Sequence, residues 1–522
     1  KVEKDADGAV LTRANYMVDN NGNITTEQRQ FAEEDDGPAY LHTTYTYDTY
    51  GNLLSKARNN YDNGDYTSEY YEYGAIDAEH PDGGLYLTKK YSGSNLCPVW
   101  YTYDFDTGLL TSEKMTNGVA DIVKSYQYDT KYRLIKMSEN RGDTIYRYAP
   151  KGWASVQGNV ERNQIVEIET PKDHVFYVYD IYGYLLDCRD METQDLRYGY
   201  RYDKRHNMIQ ETDANGKQTT YNYDRLDRLK RKTYPDGSYT NIVYGDKKNR
   251  FEMYGAIFNA TITNENGAET TYYLDAGERI LATETSPDGQ SIYAVRSEYD
   301  ALGRKVKTTD ARGSETSFEY DMLGRLTKKT DALGGVTSYA YNGNDKVVRK
   351  TEPGNKQTEY SYDSAGRLTG EKLYDTADPK RRQIKQTTYN NCNEITDKQI
   401  IYITPFWHDG YEDELYSYDQ DITYNYNAQN RVSSKIEKDG GVSRTTHYTY
   451  DYNGNITYEK MYADANQTGY ISKYSAYDNQ NRKTWQINSA YYDGLACGTQ
   501  RIAYFYDNMN HVIETREYKS DP

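Results

Sequence analysis

The sequence predicts an all-β chain: one long antiparallel sheet of repeated β-hairpins that coils into a spiral or hollow shell. Three observations carry that reading. A nine-residue phrase recurs along the chain, as in FEYDMLGRL at 318–326 and YSYDSAGRL at 360–368. A second turn signal follows each good copy, as in TDARG at 309–313 and TDALG at 330–334. Tyr supplies 62 residues, whereas Leu, Ile, Val and Phe together number 79 of 522, about 15%, too few for a thick aliphatic core.

The repeat is the first element to justify. Tyr299, Tyr320, Tyr341 and Tyr362 follow one another at 21-residue intervals, as do Tyr202 and Tyr223. The period is cleanest over 200–370, and looser copies such as YTYDTYGNLL at 45–54 and YTYDYNGNI at 448–456 extend it to both ends. About twenty units make residues 1–522 a single repeat array.

Each unit reads as two strands and two tight turns. Tyr-x-Tyr places two rings on one face of a strand, because side chains alternate. Asp48, Asp203, Asp224, Asp300, Asp321, Asp363 and Asp451 fall where a type I turn wants a carboxylate to accept backbone N–H groups. Gly51, Gly303, Gly324, Gly366 and Gly454 fall three residues later, where positive φ closes a hairpin with a bulge. An Asp copied a dozen times is a turn former, since a catalytic carboxylate is not repeated in this way. The tyrosines pack as cross-strand ladders.

Arithmetic then sets the architecture. About twenty units give about forty strands, and at ~4.8 Å each the sheet would be about 190 Å wide. Open twisted sheets rarely exceed ~10 strands without curling or splitting. The sheet must therefore coil, with Tyr suited to a thin wall wet on both sides because its ring buries while its hydroxyl stays hydrogen-bonded.

The totals exclude several function classes. A net charge of −17 disfavours nucleic acid or an anionic membrane surface as partner. No segment approaches the ~20 apolar residues of a membrane helix, so no membrane insertion is expected. The N-terminal KVEKDADGAV lacks the apolar core of a signal peptide, and a chain that does not begin with Met reads as part of a longer polypeptide. Cys97, Cys188, Cys392 and Cys497 form no CxxC motif, and no Ser or Cys sits in a nucleophile motif.

The phrase YDxxGRL at a period near 21 resembles the YD repeats of the RHS family, which includes bacterial RHS and wall-associated polymorphic toxins, the C components of insecticidal toxin complexes, and teneurins. The resemblance covers nearly the whole chain. It implies a sheet spiralling into a hollow cocoon, which in the toxins encloses a C-terminal toxic polypeptide. The family's DPxG cleavage segment has no counterpart: Asp378-Pro379 is followed by Lys-Arg-Arg, and Asp521-Pro522 stands at the end of the sequence. No cleavage residue is carried over.

Few residues outside the repeat suggest a site. The segment 402–416, YITPFWHDGYEDELY, breaks the repeat and is expected to be an insertion loop spanning 402–420. Phe406, Trp407 and His408 would be its candidate binding residues, with Asp409, Glu412 and Asp413 near His408. The stretch 73–87 is a second irregular segment. DNNGNITTE at 19–27 and DYNGNITYE at 451–459 echo a calcium loop, but Gly comes fourth instead of sixth, which favours an ordinary turn. No catalytic residue, metal or cofactor is expected. The expected role is a non-enzymatic shell segment of a secreted or surface bacterial protein, partnered by an attached C-terminal domain. Adhesion to a surface glycan or receptor is the alternative.

Overall fold

The computed structural model describes the chain except residues 1, 5–9, 35–36, 61–65, 75–85, 94–95, 105, 140–141, 150–153, 156–157, 160–163, 171–172, 181, 246–249, 409–410, 440–441, 452–453, 463–468, 478–481, 493–494, 507–511 and 521–522. Among the described residues, 41 strands form one sheet, and a separate small hairpin pairs Ala154–Ser155 with Gly158–Asn159. The sheet is antiparallel and unclosed, a meander in which each strand pairs with its neighbours in chain order.

The segment 315–341 shows the unit. Strand Glu315–Tyr320 turns at Asp321 into Leu326–Thr330, which turns again into Val336–Tyr341. In the first turn Gly324 N donates to Asp321 O at 3.0 Å and Asp321 N donates to Arg325 O at 2.9 Å. The register then slips by one residue between Glu319 and Tyr320. That is the expected type I turn with a bulge. The hairpin is paired along its length, from Ser317↔Thr330 to Tyr320↔Leu326. The ladder to the next unit is shorter: it runs from Thr330↔Val336 to Lys328↔Ser338 and stops there. Successive units are thus zipped at one rim of the ribbon and open at the other.

No thick core forms. The accessible surface is 30916 Å², whereas a compact 60.5 kDa monomer would expose about 19,500 Å². Both faces of the sheet are therefore largely open, and most strand residues are half-buried. One buried cluster stands out, Ala256, Tyr273 and Ala282, with Phe251, Tyr254 and Leu281 against it. It lies where the helical turn Phe251–Tyr254, ended by Gly255 at φ 66°, interrupts the hairpins. The sequence pattern, which reads as hairpin after hairpin, gave no sign of that turn.

The insertion expected over 402–420 is not a loop. Strands Ile395–His408 and Tyr411–Tyr426, of 14 and 16 residues, pair from Asp397↔Thr423 to His408↔Tyr411. The additional residues lengthen both arms of one hairpin and so project it beyond its neighbours. β-branched and aromatic residues, IIYIT at 400–404, favour strand there.

Successive turns of the coil meet rim to rim through side chains. Arg58 Nη1 lies 3.3 Å from Asp345 Oδ2. The Cys97 thiol donates to Asn393 Oδ1 at 3.2 Å. Asn117 Nδ2 donates to Asn427 O at 3.1 Å and to Asn430 Oδ1 at 3.2 Å. Gly93 approaches Ser364 so closely that an added Cβ would fall 2.2 Å from Ser364 Oγ. These contacts advance together: later Asp- or Asn-initiated turns, at 342–345, 363–366, 390–393 and 427–430, meet Arg58, Gly93, Cys97 and Asn117 in turn on the opposite rim. About 24 strands of the sheet separate the two sides of this seam, which at ~4.8 Å per strand gives a circumference of about 115 Å and a width of roughly 40 Å between backbones.

Gly93 is the position where the seam tolerates no side chain. Its φ of 46° is also left-handed. Gly93→Val is expected to raise amide hydrogen exchange about tenfold at both 91–97 and 362–367, the effect of roughly 1–3 kcal/mol of local strain. Exchange at 218–233, away from the seam, should not change.

Candidate functional site

The repeated chemistry of this chain is a clasp between successive units. In each turn the Asp Oδ1 accepts two backbone N–H groups. For Asp48 these come from Tyr50 at 2.9 Å and Asn52 at 2.8 Å. For Asp203 they come from Arg205 at 2.8 Å and Asn207 at 3.0 Å. Asp224, Asp300, Asp321 and Asp363 repeat the pattern, and Asp451 accepts from Asn455 N at 2.8 Å. Gly51, Gly303, Gly324, Gly366 and Gly454 have φ between 76° and 88°. His206 and Asp227 take the same left-handed conformation in units that lack the Gly, at φ 66° and 61°.

The other carboxylate oxygen binds the residue four positions on. Arg133, Arg228, Arg279, Arg304, Arg325 and Arg367 each donate Nε to the Oδ2 of their own turn Asp at 2.6–2.8 Å. Where Arg is absent, Asn23, Asn52, Asn207 and Asn455 donate Nδ2 instead, at 2.8–3.2 Å. The Asp–Arg pairs are partly desolvated: the side chains of Asp321 and Arg325 are 7% and 13% exposed.

That Arg then reaches into the next unit. The guanidinium of Arg325 lies 4.8 Å from the centre of the Tyr341 ring, and Arg304 and Arg367 lie 5.0 and 4.8 Å from Tyr320 and Tyr389. Arg304 Nη1 also donates to Asp321 O at 2.8 Å, and Arg367 Nη1 to Asn390 O at 2.7 Å. The Tyr reciprocates. Tyr223 OH donates to Met208 O, Tyr299 to Ile280 O, Tyr320 to Lys305 O, Tyr341 to Leu326 O and Tyr362 to Val347 O, all at 2.7–2.9 Å. Ten further tyrosines among the described residues make the same bond at 2.7–3.0 Å. In thirteen of the fifteen the carbonyl belongs to the residue five after the turn Asp or Asn of the preceding unit, beyond the point where the inter-unit ladder stops; Leu110 O and Ile165 O are the exceptions. Tyr202 is held by ring contact with Tyr184 at 5.2 Å.

Phe406, Trp407 and His408 lie at the far end of the long hairpin, in register with Asp413, Glu412 and Tyr411; the geometry of their side chains lies outside the described residues. The 19–27 segment is a turn whose Asp19 carboxylate accepts from Asn21 N, Asn23 N and Asn23 Nδ2. Sequence reading gave no sign of two charged clusters. Glu167, Glu169 and His174 bring ligand-type atoms together, yet Arg147 pairs with both carboxylates and His174 Nε2 lies 2.7 Å from Glu167 Oε1. That set is an ion-pair cluster in which Arg147 bridges the two carboxylates. Glu284, 6% exposed, accepts from Arg250, from Tyr254 OH at 2.6 Å and from the fully buried Tyr273 OH at 2.9 Å. It pins the helical turn onto the sheet.

The electrostatics follow the hydrogen bonds. The Arg133 side chain bonded to Asp129 holds that carboxyl at about 2, and the Ser291 hydroxyl does the same for Asp288. Arg279 lowers Asp275 likewise. Burial, reinforced by Glu211, pushes the Tyr221 phenol up to about 12, and burial with Glu394 nearby does so for Tyr426.

Four segments, 197–239, 299–336, 320–354 and 341–373, match the family model described as RHS Repeat. Over 152 residues, 29% of this chain, the sequence is 26% identical to Teneurin-4 of Mus musculus, and to the same degree to Teneurin-4 of Homo sapiens; the match covers 5% of each relative. Among solved structures, the crystal structure of TcdB2-TccC3-TEV aligns with 96% of this chain at a TM-score of 0.51 and 13% identity. That of TcdB2-TccC3 aligns with 99% at 0.50 and 14%. The chain spans about a third of those structures and a twentieth of the teneurins. At such identity the structural likeness is one of fold.

Two outcomes follow from the clasp. Arg325→Ala should cost about 2 kcal/mol by removing charge-assisted bonds from a mostly buried carboxylate, and Tyr341→Phe about 1 kcal/mol. Lys328→Ala, which breaks an exposed pair with Glu319 at 2.8 Å, should cost under about 1 kcal/mol. Native-state hydrogen exchange over 317–341 measures all three. Stability should also be bracketed by pH. Depressed carboxyls stabilise fully above their unfolded value of about 4 and lose that contribution as pH falls toward 2. Raised phenols stabilise below their unfolded value of about 10 and lose it as pH rises through 12. Circular dichroism should show a plateau from about pH 4 to 10, with phenolate absorbance appearing late, together with unfolding.

Proposed function

Because the chain belongs to the RHS/YD-repeat family, we propose that it is a wall: a non-enzymatic shell segment of a secreted or surface-delivered protein that surrounds or presents an attached polypeptide. The observation that carries this reading is the coil itself. A sheet that returns to its own rim after about 24 strands bounds a space, and allowing ~5 Å for side chains on each wall leaves a lumen of roughly 30 Å. That width suits an extended or partly folded chain and is close to that of a domain of ~100 residues, whose radius of gyration is about 13 Å.

The surface chemistry supports the same reading. An exposed area about 1.6 times that of a compact protein of this mass means an inner face still open to contact. A coiled meander also leaves few free strand edges, which would otherwise recruit other chains. No helix among the described residues is long and apolar enough to cross a membrane. The teneurin and TcdB2-TccC3 likenesses support a place in a larger polypeptide, of which this chain would be the housing.

The test is steric. A disordered, protease-sensitive segment of about 100 residues fused after Pro522 should be cut at least tenfold more slowly by a bulky protease than the same segment free in solution. Unfolding the shell in urea should abolish the difference. Equal cleavage rates with the shell intact would refute housing.

A further inference from the structure

The seam brings together two cysteines that stand 295 residues apart in the chain. Cys97 lies in strand Leu96–Tyr103, beside a register slip between Lys90 and Ser92 on the partner strand. Its φ of 48° is left-handed, a conformation rare for a non-glycine residue. From there its thiol meets Asn393 Oδ1 at 3.2 Å across the seam. Cys392 is the residue before that Asn. It occupies the third position of the turn begun by Asn390, whose Oδ1 accepts the Cys392 N–H at 2.9 Å. Both thiols are free and half-buried, and Arg367 holds the same lip by donating to Asn390 O and Asn393 Oδ1.

We propose that Cys97 and Cys392 are a disulfide pair that staples the second turn of the coil to the first. Among the described residues the seam contacts are an ion pair and a few amide bonds, so a covalent bond there changes its strength more than it would within a hairpin. The Cys97 sulfur already touches the residue adjoining Cys392, which brings the two cysteines to the same point of the seam; the bond itself needs their Cα atoms within about 7 Å.

The chemistry requires a small-molecule disulfide as oxidant. One cysteine, as thiolate, attacks a sulfur of that disulfide, forms a mixed disulfide and releases one thiolate. The second cysteine then attacks the protein sulfur, forming the Cys97–Cys392 bond and releasing the other thiolate. Two protein sulfurs are oxidised, two small-molecule sulfurs are reduced, and the two protons end on the released thiols. Burial raises the pKa of both cysteines, that of Cys392 to about 11 with Glu394 and Cys97 adding to it. Exchange is accordingly slow, and long incubation is needed. Cys188, buried between Tyr177 and Tyr198 in the sheet, has no part in the reaction.

The experiment is oxidation of the native chain with glutathione disulfide, followed by tryptic digestion without reduction. A linked species joining peptides 91–114 and 386–398, two hydrogens lighter than their sum, is expected from monomer isolated by size exclusion. The closed loop should also speed migration on a non-reducing gel and raise the melting temperature by several degrees. Dithiothreitol should reverse both effects, and Cys97→Ser or Cys392→Ser should abolish them while Cys188→Ser leaves them unchanged. The proposal is overturned if each cysteine instead carries its own glutathione, or if the link forms only after denaturation.

Discussion

The structure depends on one bond made again and again: a tyrosine hydroxyl of one unit donating to a backbone carbonyl of the unit before. The ladder between units stops short of the turn rim, so that carbonyl has no backbone donor from the next strand. Tyr341 OH supplies it for Leu326 O, as Tyr320 OH does for Lys305 O. The side chain substitutes for a missing rung and holds two diverging strands at a fixed separation. Phe would fill the same space and leave the carbonyl unpaired, which is why these positions are Tyr.

The Asp–Arg pair orients that bond. Asp321 fixes Arg325, whose guanidinium lies against the Tyr341 ring. Each clasp is local, spanning one hairpin and the start of the next. Repeated at one period, the same splay between units accumulates into steady curvature, whose hand is set by the twist of the strands. Stability is then a sum of neighbour terms, as in other repeat proteins, and no central core is needed. The wall can enclose space because nothing in its energetics requires the space to be filled.

The hairpins were legible in the sequence because their cause lies within a few residues: Tyr-x-Tyr sets a face, Asp accepts from the amides two and four residues on, and Gly takes the left-handed φ. Coiling was legible only as a necessity of strand count. The Arg of GRL was present in the best copies, at 228, 304, 325 and 367, but its role involves the following unit, which no single repeat displays. The seam was invisible. Arg58 with Asp345, or Asn117 with Asn427, joins residues about 290–310 positions apart with no shared pattern. The segment 402–420 misled because a break in period was equated with a loop, whereas both strands had simply grown. Likewise the helical turn Phe251–Tyr254 is too short to show helical periodicity, and it is stabilised by Glu284 and Tyr273 from later strands.

The most direct test of coiling is a distance across the seam. Spin labels placed at the exposed positions 119 and 429, in a cysteine-free background, can be measured by pulsed dipolar spectroscopy. The coil predicts a narrow distribution below about 25 Å, because Asn117 touches the turn that carries Gln429. A sheet extended without coiling would separate the labels by about 24 strands, over 100 Å. A short, narrow distance establishes the rim-to-rim spiral; a signal with no dipolar modulation contradicts it.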